Sequence, residues 1–142
     1  MALTTEEKMA WLERVELFKG CPPDALRRIA ERGGEIEFPA GRHIVTQGVI
    51  GNGLYVIVSG RARVMKGDEV MAELGPGDFF GELSVIDQLP RLATVIAEEP
   101  TTCLGLASWD LIAEIERDPK LALNLLRALA LRLRAAREEH RH

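Results

Sequence analysis

Apolar residues recur at two different periods along the chain. Helical spacing holds up to residue 34, apolar and polar residues then alternate, and helical spacing returns after residue 107. Helices repeat every 3.6 residues and strands every two, so the pattern predicts helices, then strands, then helices. We expect one domain with three parts: an N-terminal helical lead-in over 1–34, a β-region over 35–107 and C-terminal helices over 108–142.

Candidate caps mark the ends of the predicted helices. Thr4 and Thr5 can cap the first helix, Ser108 can cap the third, and Asp118 with Pro119 can begin the fourth. Gly33 and the following glycine end the second. The predicted helices cover residues 5–19, 22–33, 109–117 and 119–139.

Turn residues interrupt the β-region at close intervals, as at Gly51–Gly53 and Gly75–Asp78. Many short strands between tight turns are typical of antiparallel sandwiches and barrels. The expected fold is therefore mainly β with flanking helices: an antiparallel, jelly-roll-like β-roll with N-terminal helices and two C-terminal helices.

Composition narrows the function classes. No apolar run reaches the roughly 18 residues of a membrane span, and the start lacks the order of a secretory signal, so we expect a cytoplasmic chain without membrane insertion. Cys21 and Cys103 have no partner spacing and are expected to be free thiols. The net charge of −4 argues against direct nucleic-acid binding. The arginine-rich tail from Arg127 is either a solvated helix face or a phosphate-binding patch.

Two neighbouring segments, Phe79–Ser84 and Pro90–Thr94, carry the most informative chemistry. A glycine such as Gly81 that begins a single helical turn leaves backbone N–H groups pointing outward, and these bind anions. Arg91 offers a planar donor fork that suits phosphate oxygens. Glu82 would repel a phosphate unless a hydroxyl donates to it, and a ribose carries such a hydroxyl. Together these residues indicate a sugar phosphate.

The two motifs, F-G-E-L-S and P-R-x-A-T, resemble the phosphate-binding cassette of the cyclic-nucleotide-binding family, which includes bacterial catabolite activators, protein kinase regulatory subunits and cyclic-nucleotide-gated channels. Gln47–Gly48, the strand Leu54–Ile57 ending at Gly60, and the turn Gly75–Phe79 extend the resemblance over nearly the whole chain. The resemblance implies a cassette over 79–94 within a β-roll. The alternative interpretation is a structural loop with a buried arginine.

The resemblance also implies individual roles. Glu82 accepts a hydrogen bond from the ribose 2′-hydroxyl, and Arg91 pairs with the cyclic phosphate. The residues expected to line the pocket beside them are Gly81, Leu83, Leu92 and Ala93. Val64 and Met71 lie on strands that wall the purine in relatives, although apolar strand residues are as often plain core.

Two departures from the family pattern concern the base. Leu92 stands where cGMP-selective relatives have a threonine or serine, so the expected ligand is cAMP, with cGMP as the alternative, and no further cofactor. Ala136 and Arg137 stand where catabolite activators have a Thr and a Ser that reach adenine. Arg132 is the predicted substitute, stacking on the purine as in channel-type relatives; the alternative is a surface arginine.

The last predicted helix suggests a protein partner. Leu126, Leu129, Leu133 and Ala136 have three-four-three spacing, which is typical of a seam between helices. Packing on the chain's own roll would use the same residues, and the additional apolar positions Leu121, Leu125 and Leu131 favour both contacts at once. We therefore expect a homodimer in which ligand binding closes the C-terminal helices over the pocket.

Three function classes remain to be compared. A ligand sensor that regulates a partner or fused domain fits best, and a degenerate member that no longer binds nucleotide has the same fold. A truncated cAMP-responsive transcription regulator would need a helix-turn-helix beyond His142. A cupin-like enzyme would need inward histidines around a metal, but His43 stands alone in the β-region, so we expect no metal site and no enzyme activity.

Overall fold

A computed structural model describes residues 2–81 and 86–140, with side chains as far as Arg137. Its α-helices are α1 (Thr5–Glu13), α2 (Pro23–Arg32), α3 (Ser108–Arg117) and α4 (Pro119–His140), and a 3₁₀-helix covers Glu16–Phe18. Its strands are β1 (Gly34–Phe38), β2 (His43–Val45), β3 (Gly53–Ser59), β4 (Ala62–Lys66), β5 (Glu69–Leu74), β6 (Phe79–Phe80), β7 (Thr94–Ala97) and β8 (Thr101–Ala107).

The described strands form two antiparallel four-stranded sheets. The first has the order β1-β8-β3-β6 and the second the order β2-β7-β4-β5. Apart from the hairpin of β4 with β5, paired strands come from distant parts of the chain, as in the long pairing of β3 with β8. This arrangement confirms the predicted β-roll with flanking helices.

Alternation along β3 and β8 creates two apolar cores. Ile57 and Cys103 face the space between the sheets, where they pack with Phe80 and Val95. Leu54 and its alternating neighbours on β3 and β8 face the opposite side and pack against the helices. The sheet that contains β3 and β8 therefore lies between the second sheet and a layer of helices. Burial in the core between the sheets raises the pKa of the Cys103 thiol to about 12.

Ion pairs join the N-terminal helices to the C-terminal helices. The Arg28 guanidinium on α2 donates three hydrogen bonds to the buried carboxylate of Glu114 on α3, at 2.9 Å from Nη2 to Oε1 and at 3.0 and 3.2 Å from Nε to Oε2 and Oε1. This pairing raises the pKa of Arg28. A second pair, Arg32 with Asp110, lies alongside at 2.9 Å.

None of the described helices is long and apolar enough to cross a membrane.

The first helix is shorter than predicted. The Thr4 hydroxyl accepts from the Glu7 N–H at 3.1 Å and thus caps α1 as expected. However, α1 ends at Glu13, because Val15 adopts an extended backbone that turns Leu17 and Phe18 into the core through the 3₁₀-helix.

The predicted cap at Ser108 is wrong. Ser108 is the first residue of α3 and Ala107 occupies the cap position without a side-chain hydrogen bond. The Ser108 N–H instead donates to the Asn52 carbonyl at 2.7 Å, which ties the start of α3 to the loop before β3. The cap at Asp118 is confirmed, since its Oδ1 accepts from the Lys120 N–H at 3.0 Å.

Candidate functional site

A cavity of about 410 Å³ lies between the second sheet, β6, the segment before β7 and α4. Its described lining residues are Val45, Val64, Ala72, Leu74, Phe79, Phe80, Gly81, Asp87, Leu89, Pro90, Arg91, Leu92, Ala93, Val95 and Arg132. Six of the predicted site residues are among them: Gly81, Arg91, Leu92, Ala93, Val64 and Arg132. Glu82 and Leu83 lie outside the described residues. The volume suits a small-molecule ligand.

Arg91 is the buried cation of this cavity, with only 6% of its surface exposed. Its Nη2 donates to the Gly53 carbonyl at 2.8 Å, and its Nη1 donates to the Gly81 carbonyl at 3.3 Å. Its backbone N–H donates to the Val49 carbonyl at 3.0 Å, and its carbonyl accepts from the Gly48 N–H at 2.9 Å. The roll therefore fixes both the backbone and the guanidinium of Arg91, which places a positive charge where an anion can meet it.

Gly81 occupies a position that excludes every other residue. Its φ of +96° is in the left-handed region, and a Cβ there would lie 2.6 Å from the Gly53 carbonyl oxygen and 2.5 Å from Arg91 Nη1. The glycine of the F-G-E-L-S motif thus allows the chain to pass beside the guanidinium.

The other end of the cavity depends on α4. The Arg132 guanidinium lies 4.7 Å from the centroid of the Phe79 ring, and its Nη2 donates to the Phe79 carbonyl at 3.2 Å. Arg132 thereby connects α4 to β6 while it lines the cavity. Ala136 and Arg137 are exposed and are not among the described lining residues.

Met71, predicted to wall the purine, lies on β5, an edge strand of the second sheet. In the pairing of β4 with β5, Val64 is opposite Ala72 and Met65 is opposite Val70, so Met71 is the extra residue of a β-bulge. Met71 is 51% exposed and is not among the described lining residues, whereas Ala72 is. The bulge shifts the alternation by one residue, and neither turn chemistry nor alternation in the sequence signals it.

Leu92 and Ala93 connect the rim of the cavity to its wall. Leu92 lines the cavity but is 66% exposed, so it lies at the mouth, while Ala93 is half-buried. Thr94 begins β7, and its hydroxyl accepts from the Gln47 N–H at 2.8 Å.

The predicted exposed seam of α4 is only partly present. Leu129 packs partly against the helical core, together with the buried Leu121 and Leu125, whereas Leu126 and Leu133 are 61% and 62% exposed. The exposed leucines therefore form a narrower stripe than the sequence suggested, and it continues toward the start of α4 at Leu123.

Known proteins share this fold and much of this sequence. Residues 35–118 match the family model described as cyclic nucleotide-binding domain. The cyclic AMP receptor protein of Thermus thermophilus is 38% identical over 84% of this chain and 58% of its own length. A cAMP-dependent protein kinase regulatory subunit of Aspergillus fumigatus is 37% identical over 63% of this chain and 22% of its own length.

A solved structure agrees with these relatives in fold. The sensor domain of the transcriptional regulator DNR from Pseudomonas aeruginosa superposes with a TM-score of 0.83 at 19% identity, covering 95% of this chain and 94% of that one. The chain thus matches nearly the full length of that solved domain but little more than half of the receptor protein. The match of the family model over 35–118 shows that the chain belongs to the cyclic nucleotide-binding domain family.

Proposed function

We propose that this chain is a regulatory sensor module that binds cAMP in preference to cGMP and has no catalytic chemistry of its own. The observation that carries the proposal is the buried Arg91, fixed by the backbone at one end of a cavity of about 410 Å³. The relatives named as a cyclic AMP receptor and a cAMP-dependent kinase subunit support the same ligand.

The cyclic phosphate pairs with the Arg91 guanidinium. The 2.8 Å bond to the Gly53 carbonyl is short enough to keep the side chain in place, whereas the 3.3 Å bond to the Gly81 carbonyl is long and can be exchanged for a phosphate oxygen. Glu82, beside Gly81 in the sequence, accepts from the ribose 2′-hydroxyl, and Leu83 adds apolar contact. A phosphate bound in this way gains a charge-assisted hydrogen bond without costly rearrangement of the roll.

The purine occupies the end of the cavity that Val64, Ala72 and Arg132 line. The planar guanidinium of Arg132 can stack on the ring as it now lies on Phe79. Leu92 at the mouth has no hydroxyl for the guanine amino group, and an amino group left unpaired costs about 1–3 kcal/mol. The pocket therefore favours adenine.

Binding is transmitted through α4. Arg132 contacts both β6 and the cavity, so a ligand that stacks on it favours those positions of the helix in which the cavity is closed. Because α3 and α2 are joined by the Glu114–Arg28 pair, movement of the C-terminal helices is transmitted to the N-terminal helices as well. A cytoplasmic partner protein or a fused domain could respond to movement of either the C-terminal or the N-terminal helices.

Calorimetric titration of the chain with cAMP and with cGMP tests the proposal. The protein should first be freed of nucleotide carried over from expression, as judged by its absorbance ratio at 260 and 280 nm. We expect a cAMP Kd at or below the micromolar range, about −8 kcal/mol or better, and weaker binding of cGMP. Arg91→Ala should abolish the heat, while Arg127→Ala, an exposed arginine of α4 away from the cavity, should bind like the wild type.

Absence of heat with either nucleotide would overturn the proposal. The chain would then be a family member that has kept the roll and lost the ligand.

The module also pairs with a second copy through α4. The exposed residues Leu123, Leu126, Ala130 and Leu133 follow three-four-three spacing, which suits a self-complementary seam between two helices. In sedimentation velocity, the double substitution of Leu126 and Leu133 by Glu should give a monomer. Leu131→Glu is the matched control, because Leu131 is equally exposed (63%) but lies roughly 140° around the helix from Leu126. A wild-type monomer at high concentration would contradict this part of the proposal.

A second candidate function is the sensor part of a cAMP-responsive transcription regulator. The observation in its favour is that the matching segment covers only 58% of the Thermus thermophilus receptor. The sequence of the complete gene would decide this, since a following helix-turn-helix supports it and a following kinase-regulatory or other module contradicts it.

A further inference from the structure

Three glycines approach the guanidinium of Arg91: Gly51, Gly53 and Gly81. A Cβ added at Gly51 would lie 2.5 Å from both Nε and Nη2 of Arg91 and 2.8 Å from Cζ. The two nitrogens are the nearer atoms, so the added carbon would meet the edge of the guanidinium that carries Nε and Nη2. This is one of the edges through which an arginine binds two oxygens at once.

Gly51 differs from the other two glycines in what an added side chain would displace. At Gly53 the nearest atom is the Leu106 carbonyl oxygen, at 2.8 Å, and at Gly81 the Gly53 carbonyl oxygen lies at 2.6 Å and φ is positive. Both positions would force the backbone to move. Gly51 has no positive φ, and the three nearest atoms all belong to the end of the Arg91 side chain rather than to the backbone.

We infer that Gly51 is a positioning residue for phosphate recognition: its missing side chain leaves the space in which the Arg91 guanidinium lies. This inference rests on the proposed binding of a cyclic nucleotide. Any side chain at position 51 moves the guanidinium away from its bonds to Gly53 and Gly81, while the roll keeps its structure because only a side-chain end has to shift. Substitution of Gly51 therefore separates phosphate binding from folding, which substitution of Gly53 or Gly81 does not.

Gly51→Ala and Gly51→Val test the inference in the full chain. We expect cAMP to bind about tenfold more weakly to the alanine variant and more weakly still to the valine variant, because a displacement of about 1 Å at a charged contact is costly. Thermal unfolding without nucleotide should stay close to that of the wild type. Gly34→Ala is the control: Gly34 also has no positive φ, and no atom lies within 4 Å of its added Cβ. Unchanged cAMP affinity in both Gly51 variants would overturn the inference.

An Arg91→Lys background distinguishes positioning from a general structural effect. Lysine has no Nε–Nη2 edge, so adding Gly51→Ala to Arg91→Lys should cause no further loss of cAMP affinity. An equal loss in both backgrounds would show that Gly51 acts through another group and would overturn the inference.

The side-chain Nε–H resonance of Arg91 gives a readout that needs no nucleotide. It can be assigned in the NMR spectrum by its absence in Arg91→Lys, and it should shift in Gly51→Ala but not in Gly34→Ala. A resonance unchanged by Gly51→Ala would overturn the inference. If the wild-type chain bound no cAMP but the resonance shifted as expected, the proposed function would fail while the placement of Arg91 by Gly51 would stand.

Discussion

The two ends of the cavity are built in different ways. At one end, where we propose that the phosphate binds (the phosphate end), Arg91 is 6% exposed, and its backbone and guanidinium are held by carbonyl and N–H groups of the roll. At the other end, where we propose that the base binds (the base end), Arg132 extends from α4 and contacts the ring and the carbonyl of Phe79. Arg91 is thus held by the backbone of the roll, whereas the place of Arg132 depends on the position of α4.

This difference suggests that one end mainly provides affinity and the other mainly transmits the signal. A preorganised cation contributes affinity because little ordering remains to be done when the anion binds. A side chain on a helix that can change position contributes less affinity, but its contact with the ligand biases the helix and so carries the signal. Substitutions at the phosphate end should therefore change affinity most, and substitutions at the base end should change selectivity or the response of α4.

Among the substitutions that compare the two ends, Arg91→Lys should have the largest effect. Lysine keeps the charge but loses the planar fork and cannot replace both bonds to the Gly53 and Gly81 carbonyls. We expect cAMP affinity to fall about 100-fold, or about 2.7 kcal/mol, in calorimetry. A loss of less than threefold would mean that charge alone suffices and that the geometry of the phosphate end is not what holds the ligand.

Leu92→Thr should have the next largest effect, and it should act on selectivity. The added hydroxyl at the mouth of the cavity can pair with the guanine amino group, so the ratio of cGMP to cAMP affinity should rise about tenfold, or about 1.4 kcal/mol. Competition binding with both nucleotides measures the ratio. Leu92→Val is the matched control, because valine has the shape of threonine without its hydroxyl; an equal rise in that variant would exclude hydrogen bonding as the cause.

A smaller effect is expected from Arg132→Ala. Loss of stacking by an exposed guanidinium costs about 0.5–1 kcal/mol, which corresponds to a two- to fivefold weaker affinity for cAMP. Arg134→Ala, also exposed on α4 but not among the described lining residues, should leave affinity unchanged. Equal effects of the two substitutions would assign Arg132 to the solvated face of the helix rather than to the base.

Residues that are close together in the sequence are easier to predict as one site than residues that only the fold brings together. Gly81 and Arg91 belong to two motifs that are close together in the sequence, and both residues line the cavity. Gly51 lies 40 residues before Arg91, and its role depends on a close approach that only the folded chain reveals. At the phosphate end, the sequence thus predicts the charged group, Arg91, but not Gly51, which leaves space for its side chain.

The base end is less predictable for a different reason. Val64 lines the cavity as predicted, but Met71 does not, because the bulge in β5 brings Ala72 opposite Val64 instead. Leu129 on α4 likewise turns partly to the chain's own core, away from the expected exposed seam. Apolar alternation indicates that such residues form a sheet or a helix, but a single inserted residue or a small rotation decides which way each one points.

The smallest expected effect tests the position of Met71. Met71→Ala removes a side chain that is half exposed and is not among the described lining residues, so cAMP affinity should change less than twofold. Val64→Ala, on the neighbouring strand, removes two methyl groups from the cavity wall and should weaken cAMP binding more, since each buried methylene contributes about 0.8 kcal/mol when fully covered. Calorimetry on both variants compares them under the same conditions. A larger loss in Met71→Ala than in Val64→Ala would mean that β5 shifts its register when nucleotide binds, and the base end would then be reorganised by its strands as well as by α4.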